Sequence, residues 1–142
     1  MIAGQIALIV ASAFASAAFY INFAEHPARM GLPVRMTVRQ WAPSYKRGFT
    51  MQATLAVVGG IAAIAQWYLS AGWLWLAGGA VLLANWPFTL LIIMPVNHRL
   101  LDSEDLSDQQ VSELLQRWNQ LHGVRTLLGC AAVAILFIAS LG

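Results

Sequence analysis

Charged side chains are scarce in this sequence and absent from most of its length. Only 10% of the 142 residues are Asp, Glu, Lys or Arg, whereas 59% are hydrophobic. Soluble domains carry about 25% charged residues. All the charged residues here fall in two stretches, residues 25–47 and 99–125. A soluble fold could not cover so much apolar surface with so few charges, so the composition indicates an integral membrane protein.

Features of several familiar function classes are also missing. The single cysteine, Cys130, excludes an internal disulfide. The sequence contains no phosphate-binding loop, nucleophile elbow or paired-carboxylate motif. Its basic residues do not form a phosphate-binding stripe, so we expect no nucleic-acid partner. No carboxylate lies deep in an apolar segment, which argues against a proton- or ion-coupled transporter.

The apolar sequence divides into four segments that can cross, or nearly cross, a hydrocarbon layer roughly 30 Å thick. These segments are residues 2–24, 49–70, 73–96 and 124–141. Only Ser70, Ala71 and Gly72 join the second segment to the third, so these two must form an antiparallel hairpin. We predict an all-α, antiparallel four-helix transmembrane bundle that occupies residues 1–142 as a single domain.

The basic residues predict the orientation of this bundle. Positively charged residues stay in the cytoplasm, and all of them lie in the two connections or beside them: Arg29, Arg35, Arg39, Lys46, Arg47, Arg99, Arg117 and Arg125. Both connecting loops should therefore be cytoplasmic and both termini should face outward. We expect a multi-pass protein of a bacterial inner membrane, with the lipid bilayer as its first partner.

The two connections differ in regularity. Residues 106–121 predict an amphipathic helix, with Ser107 and Gln110 placed as a capping box. Its apolar stripe at helical spacing contains Val111, Leu114, Leu115, Trp118 and Leu121. We expect this cytoplasmic helix to extend directly into the fourth span. The prolines of the first connection, Pro27, Pro33 and Pro43, predict an irregular segment there.

The candidate site residues lie where the spans meet the cytoplasmic face. On the last helix, Trp118, His122 and Arg125 are spaced i, i+4, i+7 on the face turned to the bundle. A buried histidine or arginine there needs partners. The first span has the same spacing in Asn22, His26 and Arg29, and Asn97 closes the third span.

Each of these residues also has a purely structural interpretation. Histidines, including His98, are common at membrane interfaces, and Arg125 could bond backbone carbonyls or lipid headgroups. Glu25 and Arg29 could form an ordinary surface ion pair.

The ordered set of short motifs resembles the anthrone oxygenase-like (DUF1772) integral membrane family. The motifs are FAEHPAR at residues 23–29, Trp41 with Tyr45, PVN at residues 95–97, and Trp118, His122 and Arg125 entering the fourth span. The resemblance covers essentially the whole chain. It implies a membrane-embedded oxygenase that oxidises a hydrophobic aromatic substrate, anthrone- or quinol-like, with dioxygen.

The resemblance also implies roles for the candidate residues. A neutral histidine would remove a proton to form an enolate, with His26 as first choice and His122 as second. Arg125 and Asn97 would hold the enolate oxygen, while Arg29 and Trp118 would bound the ligand. This mechanism needs no metal and no other cofactor.

Two other function classes stay open at this point. His26, His98 and His122 could ligate a metal or a haem. Alternatively, the chain could be a non-enzymatic membrane subunit, or a binder of quinones without turnover. The sequence leaves a homo-oligomeric state open as well.

Overall fold

Four long helices and no strands make up the computed structural model, which describes residues 1–142. The helices are α1 (Ile2–Arg29), α2 (Val34–Ser70), α3 (Trp73–Leu101) and α4 (Asp108–Leu141). Each is long and apolar enough to cross a membrane. The predicted all-α, four-span architecture is therefore confirmed, and the chain is an integral, multi-pass membrane protein.

The helices form a four-sided bundle. Helices α1 and α3 each pack against α2 and α4, and they lie diagonally opposite one another. The turn between α2 and α3 is as short as predicted, and Ala71 adopts a left-handed conformation there with φ of 55°. This turn reverses the chain, so α2 and α3 run antiparallel.

Glycines bring the helices into close contact in the half of the bundle nearer this turn. A Cβ added at Gly60 would lie 2.6 Å from Leu83 Cγ, and one at Gly78 would lie 2.7 Å from Leu136. Such small residues allow membrane helices to pack closely. We call this half, which contains Gly4, Gly60, Gln66 and Gly78, the packed end.

The first connection is shorter and more helical than the sequence predicted. Helix α2 begins at Val34 and continues through Pro43. Of the three prolines, only Pro33 lies outside a helix, and it precedes α2 in an extended conformation. The fully buried Trp41 anchors this part of α2, and the Thr37 hydroxyl donates to the Arg29 carbonyl at 2.9 Å. These contacts keep the helix intact across Pro43, and the expectation of an irregular segment there was wrong.

Two π-helical turns lie just before Pro27 in α1 and just before Pro95 in α3. In α1 the turn is Ile21–Glu25, followed by the short helix His26–Arg29, which contains Pro27. In α3 the turn is Thr89–Ile93, followed by the helix Met94–Leu101, which contains Pro95. The wider turns accommodate residues that cannot donate a backbone hydrogen bond.

The remaining segments of these two helices are α-helical. They are Ile2–Tyr20 in α1, and Trp73–Leu83 and Asn85–Phe88 in α3.

Helix α4 unites the predicted amphipathic helix with the fourth span in one continuous helix of 34 residues. Its N-terminus has the predicted capping box: Gln110 N donates to Ser107 Oγ at 3.3 Å, and Ser107 N donates to Gln110 Oε1 at 2.9 Å. Just before it, Arg99 pairs with Asp105 at 2.9 Å, and this hydrogen bond lowers the pKa of the Asp105 carboxyl.

Candidate functional site

Buried polar side chains gather in the half of the bundle that lies away from the Ser70–Gly72 turn. All four helices contribute: the group contains His26, Arg29, Gln52, Asn85, Thr89, Asn97, His122 and Arg125. We call this half the polar end. Burial of so many polar groups is expensive in a membrane and typically marks a functional site.

A narrow cavity lies among these side chains. Its volume is about 20 Å³, which is room for about one water molecule. Its lining includes Arg29, Ser44, Tyr45, Gly48, Gln52, Thr89, Asn97, Trp118, His122 and Arg125. Five of the six predicted site residues therefore face one polar cavity, and His26 is the exception.

Arg125 is the least satisfied charged residue of this cavity. It is 7% exposed, yet the three ion pairs of the protein involve other residues, and its Nε has no hydrogen-bond partner within the chain. Its guanidinium lies over the Phe14 ring, 5.6 Å from the centroid. A buried guanidinium without a counter-ion is costly, so Arg125 is free to bind an oxygen supplied by a ligand.

His122 is held in one tautomer by Asn22. The Asn22 amide nitrogen donates to the backbone carbonyl and to the side-chain oxygen of Asn119, at 2.9 and 2.7 Å. Asn22 Oδ1 must therefore be an acceptor. It accepts one hydrogen bond from Thr126 Oγ1 at 2.7 Å and one from His122 Nδ1 at 3.0 Å. Since Nδ1 carries the proton, Nε2 is the basic nitrogen, and it has no partner within the chain.

His26 occupies a different environment. It is buried, its ring centroid lies 5.9 Å from that of Trp118, and its Nδ1 has no partner. Trp118 also contacts His122, with centroids 5.1 Å apart. The structure thus brings both histidines against one tryptophan, but only His122 lines the polar cavity.

Arg29 is buried rather than a surface ion-pair partner. It pairs with Glu25 and donates to Ser44, and Ser44 also donates to Glu25. Its Nε and Nη1 have no partner, and its guanidinium lies 5.8 Å from the Trp118 ring centroid. Glu25 therefore neutralises Arg29 in part and orients it beside the cavity.

Asn97 reaches the cavity from α3. It is 1% exposed, its Oδ1 has no partner, and its Nδ2 contacts only the sulfur of Met94 at 3.9 Å. Because α3 continues to Leu101, Asn97 and the exposed His98 lie on a helix and not on a loop. Asn97 thus keeps an amide that can bond a ligand.

The structure shows no cluster of three His, Cys, Asp or Glu side chains that could hold a metal ion. His98 does not join the other two histidines, because it is exposed and lies outside the cavity lining. The three histidines therefore do not gather at one site.

No role in the site was predicted from the sequence for Asn22, Ser44, Gln52 or Thr126. Gln52 could have been recognised as a candidate from the sequence, since it is a polar residue within an apolar span. Asn22 shares helical spacing with His26, yet its partner is His122, 100 positions away along the chain. A contact between residues of two different helices cannot be predicted from the spacing of residues along one helix.

The fold and the cavity together define a small, multi-pass membrane protein with a basic, polar cavity inside its bundle. A comparison with known protein families then identifies the family of the chain. Residues 41–135, about two thirds of the chain, match the family model described as anthrone oxygenase. The chain therefore belongs to the anthrone oxygenase family.

The matched region contains Asn97, Trp118, His122 and Arg125, but neither His26 nor Arg29. No curated protein matches the chain, and no solved structure does.

Proposed function

We propose that this chain is a membrane-embedded oxygenase that oxidises a hydrophobic aromatic substrate, anthrone- or quinol-like, with dioxygen. The observation that carries the proposal is that two reactive side chains, Arg125 and His122, line one buried cavity. Arg125 offers an unpaired guanidinium, and His122 offers a basic nitrogen whose tautomer is fixed. Membership of the anthrone oxygenase family supports the same reaction class.

Proton removal is the first step of the proposed reaction. The methylene hydrogen of an anthrone is acidic because the resulting enolate is aromatic. His122 Nε2 accepts this proton, while Asn22 Oδ1 keeps Nδ1–H in place and stabilises the imidazolium that forms. His122 therefore replaces His26 as our first choice for the base, because His26 does not line the cavity.

The enolate oxygen is stabilised by the groups that lack partners in the chain. Arg125 supplies a cationic donor and Asn97 supplies the amide Nδ2, which otherwise contacts only a sulfur. Donors that are already in position when negative charge develops lower the barrier most effectively. Arg29 and Trp118 form the adjacent wall of the site.

Dioxygen then reacts with the electron-rich carbon. The enolate reduces dioxygen, a carbon–oxygen bond forms, and the imidazolium of His122 returns the proton to give a hydroperoxide. Loss of water, with the second methylene hydrogen, yields the quinone. One oxygen atom ends in the quinone carbonyl and the other in water, so the electrons balance without a further reductant or oxidant.

Substrate binding requires the cavity to widen. At about 20 Å³ it holds a molecule of water size and not a three-ring aromatic. Helices α2 and α3 border it with Tyr45 and Phe49 on one side and Thr89 and Ile93 on the other. A weak hydrogen bond of 3.6 Å from Tyr45 to the Met94 sulfur links these helices. We propose that a lipid-soluble substrate enters by separating them.

The three histidines provide a direct test of the mechanism. Purified protein in detergent would be given anthrone under air, with oxygen consumption and anthraquinone formation measured. Removal of a general base typically lowers the rate about 10²–10⁴-fold, so we expect at least a hundredfold loss in His122→Ala. His98→Ala is the control and should match the wild type.

The same assay decides between the two candidate bases. A larger loss in His26→Ala than in His122→Ala would move the base to His26, as the sequence motifs first suggested. Wild-type protein that never exceeds the spontaneous rate of anthrone oxidation would reject the oxygenase function.

A further inference from the structure

A second group of buried polar atoms lies beside the polar cavity, on the side nearer the packed end. It surrounds a small space of about 10 Å³ that shares four lining residues with the polar cavity: Phe49, Gln52, Thr89 and Arg125. The new lining residues include Phe14, Asn85 and Trp86. We call this space the inner pocket.

Gln52 and Asn85 each present a polar atom without a partner in this pocket. Gln52 is 1% exposed, and its Nε2 has no acceptor. Asn85 is 2% exposed; its Nδ2 donates to the Leu82 carbonyl of its own helix at 3.0 Å, but its Oδ1 has no donor. The residues of the inner pocket therefore include a donor and an acceptor that the chain leaves free.

The usual structural role of such residues does not apply to either of them. Buried amides in membrane helices commonly bond across helices and so hold a bundle together. Gln66, on the same helix as Gln52, does this by accepting from the Gly4 backbone N–H at 3.1 Å. Gln52 and Asn85 make no hydrogen bond to another helix, and hydrocarbon cannot satisfy them.

We propose that Gln52 and Asn85 form a second polar subsite that binds a hydroxyl group of the aromatic ligand. The hydroxyl accepts from Gln52 Nε2 and donates to Asn85 Oδ1, while Phe14, Phe49 and Trp86 flank the ring system. This hydroxyl is a second oxygen of the ligand, distinct from the enolate oxygen that Arg125 would hold. The two amides would then determine specificity, and the nature of the ring system rests on the proposed function.

A matched pair of ligands tests this subsite without turnover. Equilibrium binding of 2-hydroxymethyl-anthraquinone and 2-ethyl-anthraquinone would be measured on the purified full chain in detergent. These neutral compounds differ only in a terminal hydroxyl or methyl group. One buried hydrogen-bonding site is worth roughly a tenfold change in affinity, so we expect wild type to bind the hydroxymethyl compound about tenfold more tightly.

Variants separate a ligand role from a structural one. Gln52→Leu and Asn85→Leu should largely abolish the preference and leave the affinity for the ethyl compound unchanged. The thermal midpoint of Gln52→Leu should be equal to or above that of wild type, because the change removes an unpaired buried group. Asn85→Leu also loses the bond to Leu82, so its midpoint should stay close to that of wild type. Gln66→Leu, the matched control, should lower the midpoint and retain the preference.

Three outcomes would overturn the subsite. They are equal affinities of wild type for the two compounds, no saturable binding of either, or a Gln52→Leu variant that keeps the preference while losing as much stability as Gln66→Leu. A wild type that shows the preference but does not oxidise anthrone would reject the proposed function and leave the subsite standing.

Discussion

The two ends of the bundle are built from the same four helices but meet different requirements. At the packed end, Gly60 and Gly78 bring helices into contact, and the buried amide of Gln66 is bonded to Gly4. At the polar end and its inner pocket lie all the buried side-chain polar atoms that lack a partner: atoms of His26, Arg29, Trp41, Gln52, Asn85, Asn97 and Arg125.

This contrast separates stability from function. Burial penalises an unpaired polar group at either end of the bundle. If folding alone determined the sequence, apolar residues would serve at both ends. The concentration of unpaired groups at one end is what the proposed ligand-binding site requires, since functional sites commonly reduce the stability of a fold.

The largest expected effect comes from removing the unpaired charge of the polar end. Arg125→Leu should lower kcat/KM for anthrone oxidation about 10²–10³-fold, which is the usual loss when one donor to a developing oxyanion is removed. Its thermal midpoint should stay the same or rise, because an uncompensated buried charge disappears. The exposed Arg117 supplies the control variant, Arg117→Leu. A strong loss of stability in Arg125→Leu would instead indicate a structural arginine.

At the packed end, a single added methyl group should affect stability directly. Gly60→Ala places a Cβ 2.6 Å from Leu83 Cγ, and overpacking of this kind costs about 1–3 kcal/mol. Gly48→Ala is the counterpart at the polar end, where the nearest atom would be Ile21 Cδ1 at an ordinary 3.9 Å. Denaturation in detergent should show a lower midpoint for Gly60→Ala alone. Equal midpoints for the two variants would contradict the difference in packing.

Asn22 is a positioning residue whose loss should act through His122. Asn22→Leu removes the acceptor that holds Nδ1–H, and we expect kcat to fall roughly tenfold, in the range of losses for groups that orient a functional histidine. Asn22→Asp keeps an acceptor oxygen for Nδ1–H but loses the amide that donates to Asn119, and its negative charge favours the imidazolium form of His122. The pH profile of kcat should therefore move to higher pH in Asn22→Asp. A wild-type profile in Asn22→Asp would indicate that Asn22 only packs.

The smallest effect is expected at Gly123, which lies beside His122 but touches little. A Cβ at this position would meet nothing within 4 Å, so Gly123→Ala should stabilise α4 by about 0.5–1 kcal/mol through its helix propensity. Gly129→Ala, six residues further on, should destabilise the protein, because its Cβ would lie 2.9 Å from Phe14 Cδ1. Thermal midpoints of the two variants should therefore move in opposite directions.

The sequence predicted the architecture because membrane constraints are local. Apolar length sets the number of spans, Ser70–Gly72 sets the hairpin, and the Ser107–Gln110 pair marks the start of α4. The i, i+4, i+7 spacing of Trp118, His122 and Arg125 likewise predicted a shared buried face, and all three residues line the cavity. Such patterns depend only on neighbours along one helix.

The rest of the site depends on contacts between helices. Local spacing gave His26 and His122 equivalent positions, yet Asn22 of α1 bonds His122 of α4. Proline content predicted breaks at Pro27 and Pro43, whereas tertiary packing keeps both helices continuous. Propensity and spacing cannot register such packing, since the atoms involved are far apart along the chain.

The π-helical turns in α1 and α3 determine the direction in which the site residues beyond them point. Each turn behaves as a one-residue insertion in an otherwise regular helix. Without the π-helical turn, the same residues wound as a regular α-helix would place everything beyond Ile93 about 100° out of phase. Asn97 would then turn away from the cavity while Gly78 kept its contact with Leu136. Deletion of one residue from Thr89–Ile93 should instead restore the α-helical period and leave Asn97 facing the cavity. The π-helical turn therefore sets the direction of the site residues of α3 independently of the direction of the residues that pack the other half of the bundle.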